Sequence, residues 1–184
     1  MAEDPLVELA DLAVRLGARC TDLGLRVATV ESCTGGLVGH LITEVPGSSA
    51  YFVGGFVTYS DDMKRQAVGV PDEVLASHGA VSAQVAVAMA TGGRQRTAAD
   101  LAVSVTGIAG PDGGSPAKPV GLTYVAVADR TGSVVRRYAW TGDRAENKRR
   151  SAAAALELLL ERIEAGDAAP DAPSMVDPAA ADHA

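Results

Sequence analysis

Hydrophobic residues recur along this chain with two different spacings. From Leu6 to Leu23 they follow one another at steps of three and four, which is typical of a helix with one buried face. Elsewhere, short runs of aliphatic and β-branched residues, bounded by glycine, proline or aspartate, predict strands. The predicted helices cover residues 5–23, 36–45, 61–68, 71–77, 82–96 and 143–164, and the predicted strands cover residues 25–30, 52–59, 100–105, 122–128 and 133–140.

The order of these elements indicates the fold class. Helices and strands alternate as far as the third strand, which favours parallel strands joined by helical crossovers. The last two strands are separated only by residues 129–132, a connection that is too short for a crossover and predicts an antiparallel hairpin. We therefore predict an α/β protein, a three-layer α/β/α sandwich with a mixed, mostly parallel sheet of about five strands.

A change of composition marks the predicted end of the folded domain. The chain of 184 residues is 47% hydrophobic, which is enough for a sizeable core. Its last part is rich in alanine, aspartate and proline and has no hydrophobic period. We predict one domain over residues 1–165 and a disordered tail over residues 166–184.

The charge of the chain argues against nucleic acids as partners. The formal net charge is -7, and no segment supplies the broad basic surface that neutralises phosphates. The N-terminus is acidic, unlike a signal peptide, and the chain has no run of about 18 uncharged apolar residues that predicts a membrane span. We therefore expect a cytoplasmic protein that binds neither nucleic acid nor membrane.

A small polar corner, Ser32-Cys33-Thr34-Gly35-Gly36, separates the first strand from the second helix. Serine and threonine are good N-caps and glycine permits a tight turn, so the corner can be purely structural. The carboxyl end of a strand is also where open α/β sheets bind ligands, and Ser32 there is a candidate nucleophile. Thr34, Gly35 and Gly36 are then candidates for binding the substrate through backbone N–H groups.

A serine nucleophile needs a base, and lysine is the better candidate in this chain. His40, His78 and His183 fall in mid-helix, at a helix end and in the tail, which makes them poor candidates. Lys64 follows the second strand, and a partly desolvated amine can accept a proton near neutral pH. Tyr59 is a candidate to relay or orient that proton. The alternatives are a surface lysine and an ordinary tyrosine at the end of a strand.

The third strand ends at Thr106-Gly107, ahead of a long glycine-rich loop. If the three strand ends meet at one edge of the sheet, both residues are candidates for binding substrate, and Thr106 is a candidate oxyanion donor. Four basic residues near the start of the last helix form either a solvated face or a phosphate clamp: Arg144, Lys148, Arg149 and Arg150. The two cysteines form neither a disulfide framework nor a metal motif, so we expect no metal and no cofactor.

Several longer motifs resemble those of the CinA C-terminal domain family. They are ESCTGG, PGSSAYF-x-GG-x-V-x-YS-x-x-x-K, HGAVS and TGIAGPDGG, in the family's order, and the resemblance covers about residues 7–163. It implies an α/β/α fold. For the stand-alone members it also implies a small-molecule nucleotide, nicotinamide mononucleotide, as substrate. The implied reaction hydrolyses its carboxamide to give nicotinate mononucleotide and ammonia, in pyridine nucleotide salvage.

The resemblance also implies roles for particular residues. Ser32 corresponds to the family's nucleophile, and Tyr59 and Lys64 correspond to the tyrosine and lysine of its Y-S-x-x-x-K motif. Thr106 matches the threonine of TGIAGP, and Arg144 matches an arginine at the start of the last helix, which is expected to bind substrate.

Four alternatives stay open at this stage. Cys33 is a second candidate nucleophile, because thiolates react well at helix N-termini. A second alternative is a non-catalytic nucleotide-binding module of the same fold, associated with competence or damage. A third is an enzyme that hydrolyses a different amide. A homo-oligomer is also open, with residues 46–55 as a candidate interface.

Overall fold

The computed structural model describes residues 5–167, with side chains from residue 9 to residue 166. The helices are α1 (Pro5–Leu23), α2 (Leu37–Thr43), α3 (Asp61–Val68), α4 (Asp72–His78), α5 (Ala83–Thr97) and α6 (Arg144–Asp167). The strands are β1 (Val27–Glu31), β2 (Phe52–Val57), β3 (Leu101–Gly107), β4 (Leu122–Ala128) and β5 (Ser133–Ala139), and a 3₁₀ turn covers Ser48–Ala50. Helix α6 continues two residues past the predicted domain end, and the rest of the predicted tail lies outside the described residues.

The five strands form one sheet in the order β2-β1-β3-β4-β5. Strand β1 is parallel to both β2 and β3, whereas β4 is antiparallel to β3 and to β5. Four of the strands therefore point in the same direction and only β4 is reversed. The prediction of a mixed sheet that ends in a hairpin is confirmed.

Helices cover both faces of this sheet. Helices α1, α2 and α6 pack on one face over the larger hydrophobic core, and α3, α4 and α5 pack on the other. On β4, Val125 and Val127 belong to the first core, while Ala126 and Ala128 pack against α5. This alternation along the strand is the expected result when both faces of a sheet are buried, and it confirms the three-layer prediction. Within residues 5–167, no helix is both long and apolar enough to cross a membrane.

Two glycines let α5 approach its neighbours closely. A Cβ atom on Gly92 would lie 1.7 Å from the carbonyl oxygen of Val68 at the end of α3. A Cβ atom on Gly93 would lie 2.2 Å from a methyl group of Val30 on β1. Because α5 contacts both α3 and β1, these glycines set the distance between α3 and the sheet.

Three parallel strands end at the same edge of the sheet. Glu31, the last residue of β1, lies beside Val57 of β2 and Val105 of β3. The residues that follow these three positions therefore leave the sheet side by side, which is where open α/β sheets place ligands.

Several strand boundaries differ from the sequence prediction by one or two residues, and those of β1 and β2 have identifiable causes or consequences. Strand β1 begins two residues later than predicted, because the N–H of Leu25 bonds to the carbonyl oxygen of Cys20 at the end of α1. Strand β2 ends at Val57, so Tyr59 lies in the loop that leads to α3 and not in the strand.

Candidate active site

Lys64 is buried although it lies on a short surface helix, and its side chain is 1% exposed. Its amine donates to the carbonyl oxygen of Thr58 at 3.0 Å and lies 3.3 Å from Oγ of Ser32. In the described part of the chain, only Asp61 brings a carboxylate oxygen within 4 Å of this amine, at 3.9 Å. The predicted nucleophile and base, 32 positions apart in the chain, are therefore in direct contact.

The surroundings of Lys64 favour its neutral form. Burial lowers the pKa of Lys64 from the ordinary value of 10.5, and the charge of Asp61 opposes this shift without cancelling it. A neutral amine can accept the proton of the Ser32 hydroxyl directly. The two groups are in direct contact, while the hydroxyl of Tyr59 accepts a hydrogen bond from Arg144.

The polar corner after β1 is organised around a buried carboxylate, that of Glu31. Its Oε2 accepts the N–H groups of Gly36 and Val38, both at 3.0 Å, and its Oε1 accepts the N–H of Gly39 at 2.8 Å. The sequence predicts that the N–H groups before α2 bind the substrate. The N-terminus of α2 is instead occupied by the protein's own carboxylate, that of Glu31. The sequence prediction did not include Glu31, although an acid at the end of an apolar strand was a signal that could have identified it.

Two backbone N–H groups of the corner bond to no other residue among residues 5–167. That of Cys33 contacts its own thiol and that of Thr34 has no acceptor, while the N–H of Gly35 donates to the carbonyl oxygen of Ser32. These two groups follow the candidate nucleophile directly, which is the position that an oxyanion hole requires.

Cys33 is buried at this corner and behaves as a thiol. Burial, helped by the charge of Glu31, raises the pKa of Cys33 to about 12. A thiol with this pKa stays protonated at neutral pH, and the thiolate is the reactive form. The structure therefore favours Ser32 over Cys33 as the nucleophile.

A cavity of about 290 Å³ opens beside Ser32 and Lys64. Of the predicted site residues, those that line it are Ser32, Tyr59, Lys64, Thr106, Gly107 and Arg144. It also has two carboxylates in its wall, those of Asp61 and Asp112. No group of three or more histidine, cysteine, aspartate or glutamate side chains in the described residues is arranged to hold a metal ion.

Three predicted binding residues, Thr34, Gly35 and Gly36, lie outside the cavity wall. Gly35 and Gly36 have φ angles of +65° and +98°, a region that residues with side chains rarely adopt. They shape the turn between Ser32 and α2. The hydroxyl of Thr34 is buried and has no hydrogen-bond partner in the described residues.

Arg144 connects two sides of the cavity. Its guanidinium donates to the carbonyl oxygen of Gly110 at 2.7 Å and to the hydroxyl of Tyr59 at 3.1 Å. Tyr59 is 60% exposed, and this bond keeps its ring at the cavity rim. Of the four basic residues near the start of α6, only Arg144 lines the cavity, and Arg150 forms an ion pair with Glu146 instead.

Polar side chains hold the glycine-rich loop that forms one wall of the cavity. The hydroxyl of Thr106 donates to the carbonyl oxygen of Ala80 at 2.7 Å, and buried Asn147 of α6 donates to that of Ala109 at 3.1 Å. The amine of Lys118 donates to a carbonyl at the end of α4. The sequence prediction missed Asn147 and Lys118, because nothing in their local pattern shows which loop they reach.

Comparison with known proteins identifies the family. A family model described as the CinA C-terminal domain matches residues 9–163. The chain is 53% identical over 140 residues to a CinA-like protein of Geobacter sulfurreducens, which covers 76% of this chain and 34% of that one. It is 48% identical over 157 residues to the nicotinamide-nucleotide amidohydrolase PncC of Escherichia coli K12, with 85% and 95% covered. The chain thus spans about a third of the first relative and nearly all of the second.

Solved structures have the same fold. The crystal structure of the competence/damage inducible protein CihA from Agrobacterium tumefaciens gives a TM-score of 0.82 at 46% identity, covering 84% of this chain and 94% of that one. A CinA superfamily protein from Klebsiella pneumoniae gives the same TM-score at 32% identity, with 85% and 98% covered. Together with the match over residues 9–163, these likenesses show that the chain belongs to the CinA C-terminal domain family.

Proposed function

We propose that this protein is an amidohydrolase that converts nicotinamide mononucleotide and water to nicotinate mononucleotide and ammonia, in pyridine nucleotide salvage. The observation that carries the proposal is the buried contact of 3.3 Å between Lys64 Nζ and Ser32 Oγ beside the cavity. A hydroxyl next to an amine whose pKa is lowered is a known arrangement for an activated serine nucleophile. The name of the E. coli relative supports the choice of substrate.

The first half of the reaction forms an acyl-enzyme. Neutral Lys64 accepts the proton of Ser32 while Oγ attacks the carboxamide carbon, and the carbonyl oxygen takes up the negative charge. The N–H group of Cys33, a residue that lines the cavity, stabilises this oxyanion. Lys64 then returns the proton to the departing nitrogen, and ammonia leaves.

The second half of the reaction regenerates the enzyme. Lys64, neutral again, takes a proton from a water molecule that attacks the acyl carbon. The bond between Ser32 and the acyl group breaks, and the proton passes from Lys64 to Ser32. The carboxylic acid formed releases its remaining proton to solvent, and nicotinate mononucleotide leaves as the carboxylate; no metal or cofactor takes part in any step.

Other cavity residues bind the remainder of the nucleotide. Arg144 pairs with the 5′-phosphate, and its bond to Tyr59 orients the guanidinium. Thr106 and Gly107 form the wall on the β3 side. The two aspartates in the wall suit the positively charged pyridinium ring, so the cavity offers a group of opposite sign for each charged part of the substrate.

The central experiment measures turnover and the covalent intermediate together. Purified protein is incubated with nicotinamide mononucleotide, ammonia is measured, and quenched samples are examined by peptide mass spectrometry. We expect ammonia release and, on Ser32, an acyl adduct with the mass of the nicotinate mononucleotide acyl group. An adduct on Cys33 would contradict the assigned nucleophile. Binding without ammonia release would favour a non-catalytic module, and turnover of a different amide from a substrate panel would replace the proposed substrate.

A second experiment tests the phosphate contact. Loss of a charge-assisted pair costs about 1.5–3 kcal/mol, so Arg144→Gln should raise KM by about tenfold to a hundredfold. Nicotinamide riboside, which lacks the phosphate, should be a poor substrate for the wild type and should be affected little by the substitution. Arg149→Gln is the matched control, since Arg149 does not line the cavity. Equal turnover of riboside and mononucleotide would refute the phosphate contact.

A further inference from the structure

Glu31 is connected to both members of the Ser32–Lys64 pair. Its side chain, 1% exposed, accepts three N–H groups from the first turns after the corner. Its backbone carbonyl accepts the N–H of Thr58 at 2.7 Å, and the carbonyl of Thr58 in turn accepts the amine of Lys64 at 3.0 Å. One residue therefore anchors the turn that presents the hydroxyl and the strand end that holds the amine.

The carboxylate also fixes the start of α2 beside the corner. A carboxylate has about four lone-pair sites, and Glu31 uses three of them on the N–H groups of Gly36, Val38 and Gly39. These bonds hold α2 in place next to the N–H groups of Cys33 and Thr34, which bond to no other described residue. Without the carboxylate, three buried or half-buried donors would compete for any oxygen at the corner.

We propose that Glu31 is a positioning residue for the reaction, one that acts through the Ser32 corner and makes no contact with the substrate. It does not line the cavity, so it has no direct means of changing substrate affinity. Its effect is on the relative placement of the hydroxyl, the amine and the N–H groups of the corner. The inference rests on the proposed function for the roles of Ser32 and Lys64 and for the choice of nicotinamide mononucleotide as the assay substrate.

The decisive variant is Glu31→Gln, which keeps the size of the side chain. Its single carbonyl oxygen can replace one carboxylate oxygen, while its NH₂ group must face at least one of the three N–H donors. We expect kcat to fall on the order of a hundredfold, because a misplacement of about 1 Å is sufficient for that loss. KM should change by less than about twofold, because ground-state binding is untouched. Glu31→Leu, which accepts no hydrogen bond, should lose more kcat than Glu31→Gln.

Asp129→Asn is the matched control. Asp129 also accepts backbone N–H groups, those of Thr131 and Gly132, but it lies in the β4–β5 turn at the opposite end of the sheet. Its substitution should lower the melting temperature and leave kcat unchanged. If Glu31→Gln lowers the melting temperature as Asp129→Asn does and keeps the wild-type kcat, Glu31 is merely structural and the inference is overturned. A change confined to KM also overturns it.

A second readout is independent of the nucleotide substrate. A small fluorophosphonate reacts with an activated serine: Oγ displaces fluoride from phosphorus, and Lys64 takes the proton. Glu31→Gln should slow the labelling of Ser32 by the same factor as kcat. If the wild type is labelled and releases no ammonia, the proposed substrate fails, and the labelling rates still test Glu31. If the variant is labelled as fast as the wild type, the inference fails while the proposed function stands. An absence of both labelling and turnover overturns both.

Discussion

The two ends of the sheet differ in how they treat buried charge. At the end where β1, β2 and β3 finish, Lys64 is buried with its nearest carboxylate oxygen 3.9 Å away, and burial lowers its pKa. At the opposite end, Asp129 accepts two hydrogen bonds from the guanidinium of Arg162, at 2.7 and 3.0 Å. These bonds, with those from Thr131, outweigh the effect of burial and lower the pKa of Asp129 to about 2.

The two buried groups therefore have different roles: Asp129 contributes to stability, whereas Lys64 is placed to react. The hydrogen bonds from Arg162 hold Asp129 in its charged form, and the pair joins the β4–β5 turn to α6. Lys64 lacks such a bidentate partner, and burial lowers its pKa, so its amine loses a proton more readily than that of an exposed lysine. A base needs this readiness to change its protonation state, which a fully paired ion does not have.

The largest expected effect is on the nucleophile at the first end. Ser32→Ala should reduce ammonia release on the order of 10⁶-fold, because the covalent step has no other activated nucleophile. Cys33→Ala should keep most of the activity, since burial raises the pKa of that thiol to about 12. Steady-state ammonia assays of both variants check this. If Ser32→Ala keeps its activity and Cys33→Ala loses it, the nucleophile is Cys33 and not Ser32.

Replacing the base should separate activity from stability. Lys64→Met should lose activity on the order of 10⁴-fold, the upper range for a general base. The folded-state pKa of Lys64 is below its unfolded value, so its burial costs stability that is regained as pH rises from the lowered pKa towards 10.5. The free energy of unfolding of the wild type minus that of the variant should therefore rise over this window.

Urea unfolding at a series of pH values measures that difference. The raised pKa of Cys20 lowers stability above pH 9 in both proteins alike, so its contribution cancels. The charge of Lys64 lowers the pKa of Cys33, so both proteins carry Cys33→Ala in this comparison. A difference that stays flat with pH would mean that Lys64 is not desolvated in the native state.

A smaller effect should follow from the one carboxylate near the base. Asp61 raises the pKa of Lys64, so Asp61→Asn should lower it further and move the rise of kcat/KM to lower pH. Asp62→Asn is the control, because it removes the same charge from the same helix at a residue that pairs with Arg65. Profiles of kcat/KM against pH for both variants check the direction. Equal shifts would show a general charge effect and not a contact with Lys64.

The smallest expected effect on activity is at the other end of the sheet. The folded-state pKa of Asp129 is below its ordinary value of 3.8, so its ion pair contributes about 2 kcal/mol of stability above pH 4. This contribution is lost as the pH falls towards 2. Asp129→Asn should therefore lower the free energy of unfolding at pH 7, lose less stability than the wild type on acidification, and leave kcat unchanged. Denaturant unfolding at pH 7 and pH 3 tests the predicted changes in stability. A fall in kcat would show that Asp129 also affects the reaction, contrary to the difference described between the two ends of the sheet.

Much of the fold followed from local patterns, because they set which residues are buried. The stripe of apolar residues at steps of three and four predicted α1, and the short connection at residues 129–132 predicted the hairpin. The role of Glu31 was not predicted, because its carboxylate accepts three backbone N–H groups that come together only in the folded structure. The bond from Thr106 to Ala80 was also not predicted, because the two residues are 26 positions apart.

The sequence by itself determined the order of helices and strands, the parallel strands that end together, and the family motifs around Ser32 and Lys64. Only the tertiary structure decided that the amine of Lys64 is desolvated and in contact with Ser32. Burial is a property of all the neighbours at once, and α3, which carries Lys64, also packs closely against α5 at Gly92. The presence of a lysine at position 64 does not by itself predict a lowered pKa, since that shift arises from the surroundings that the fold assembles.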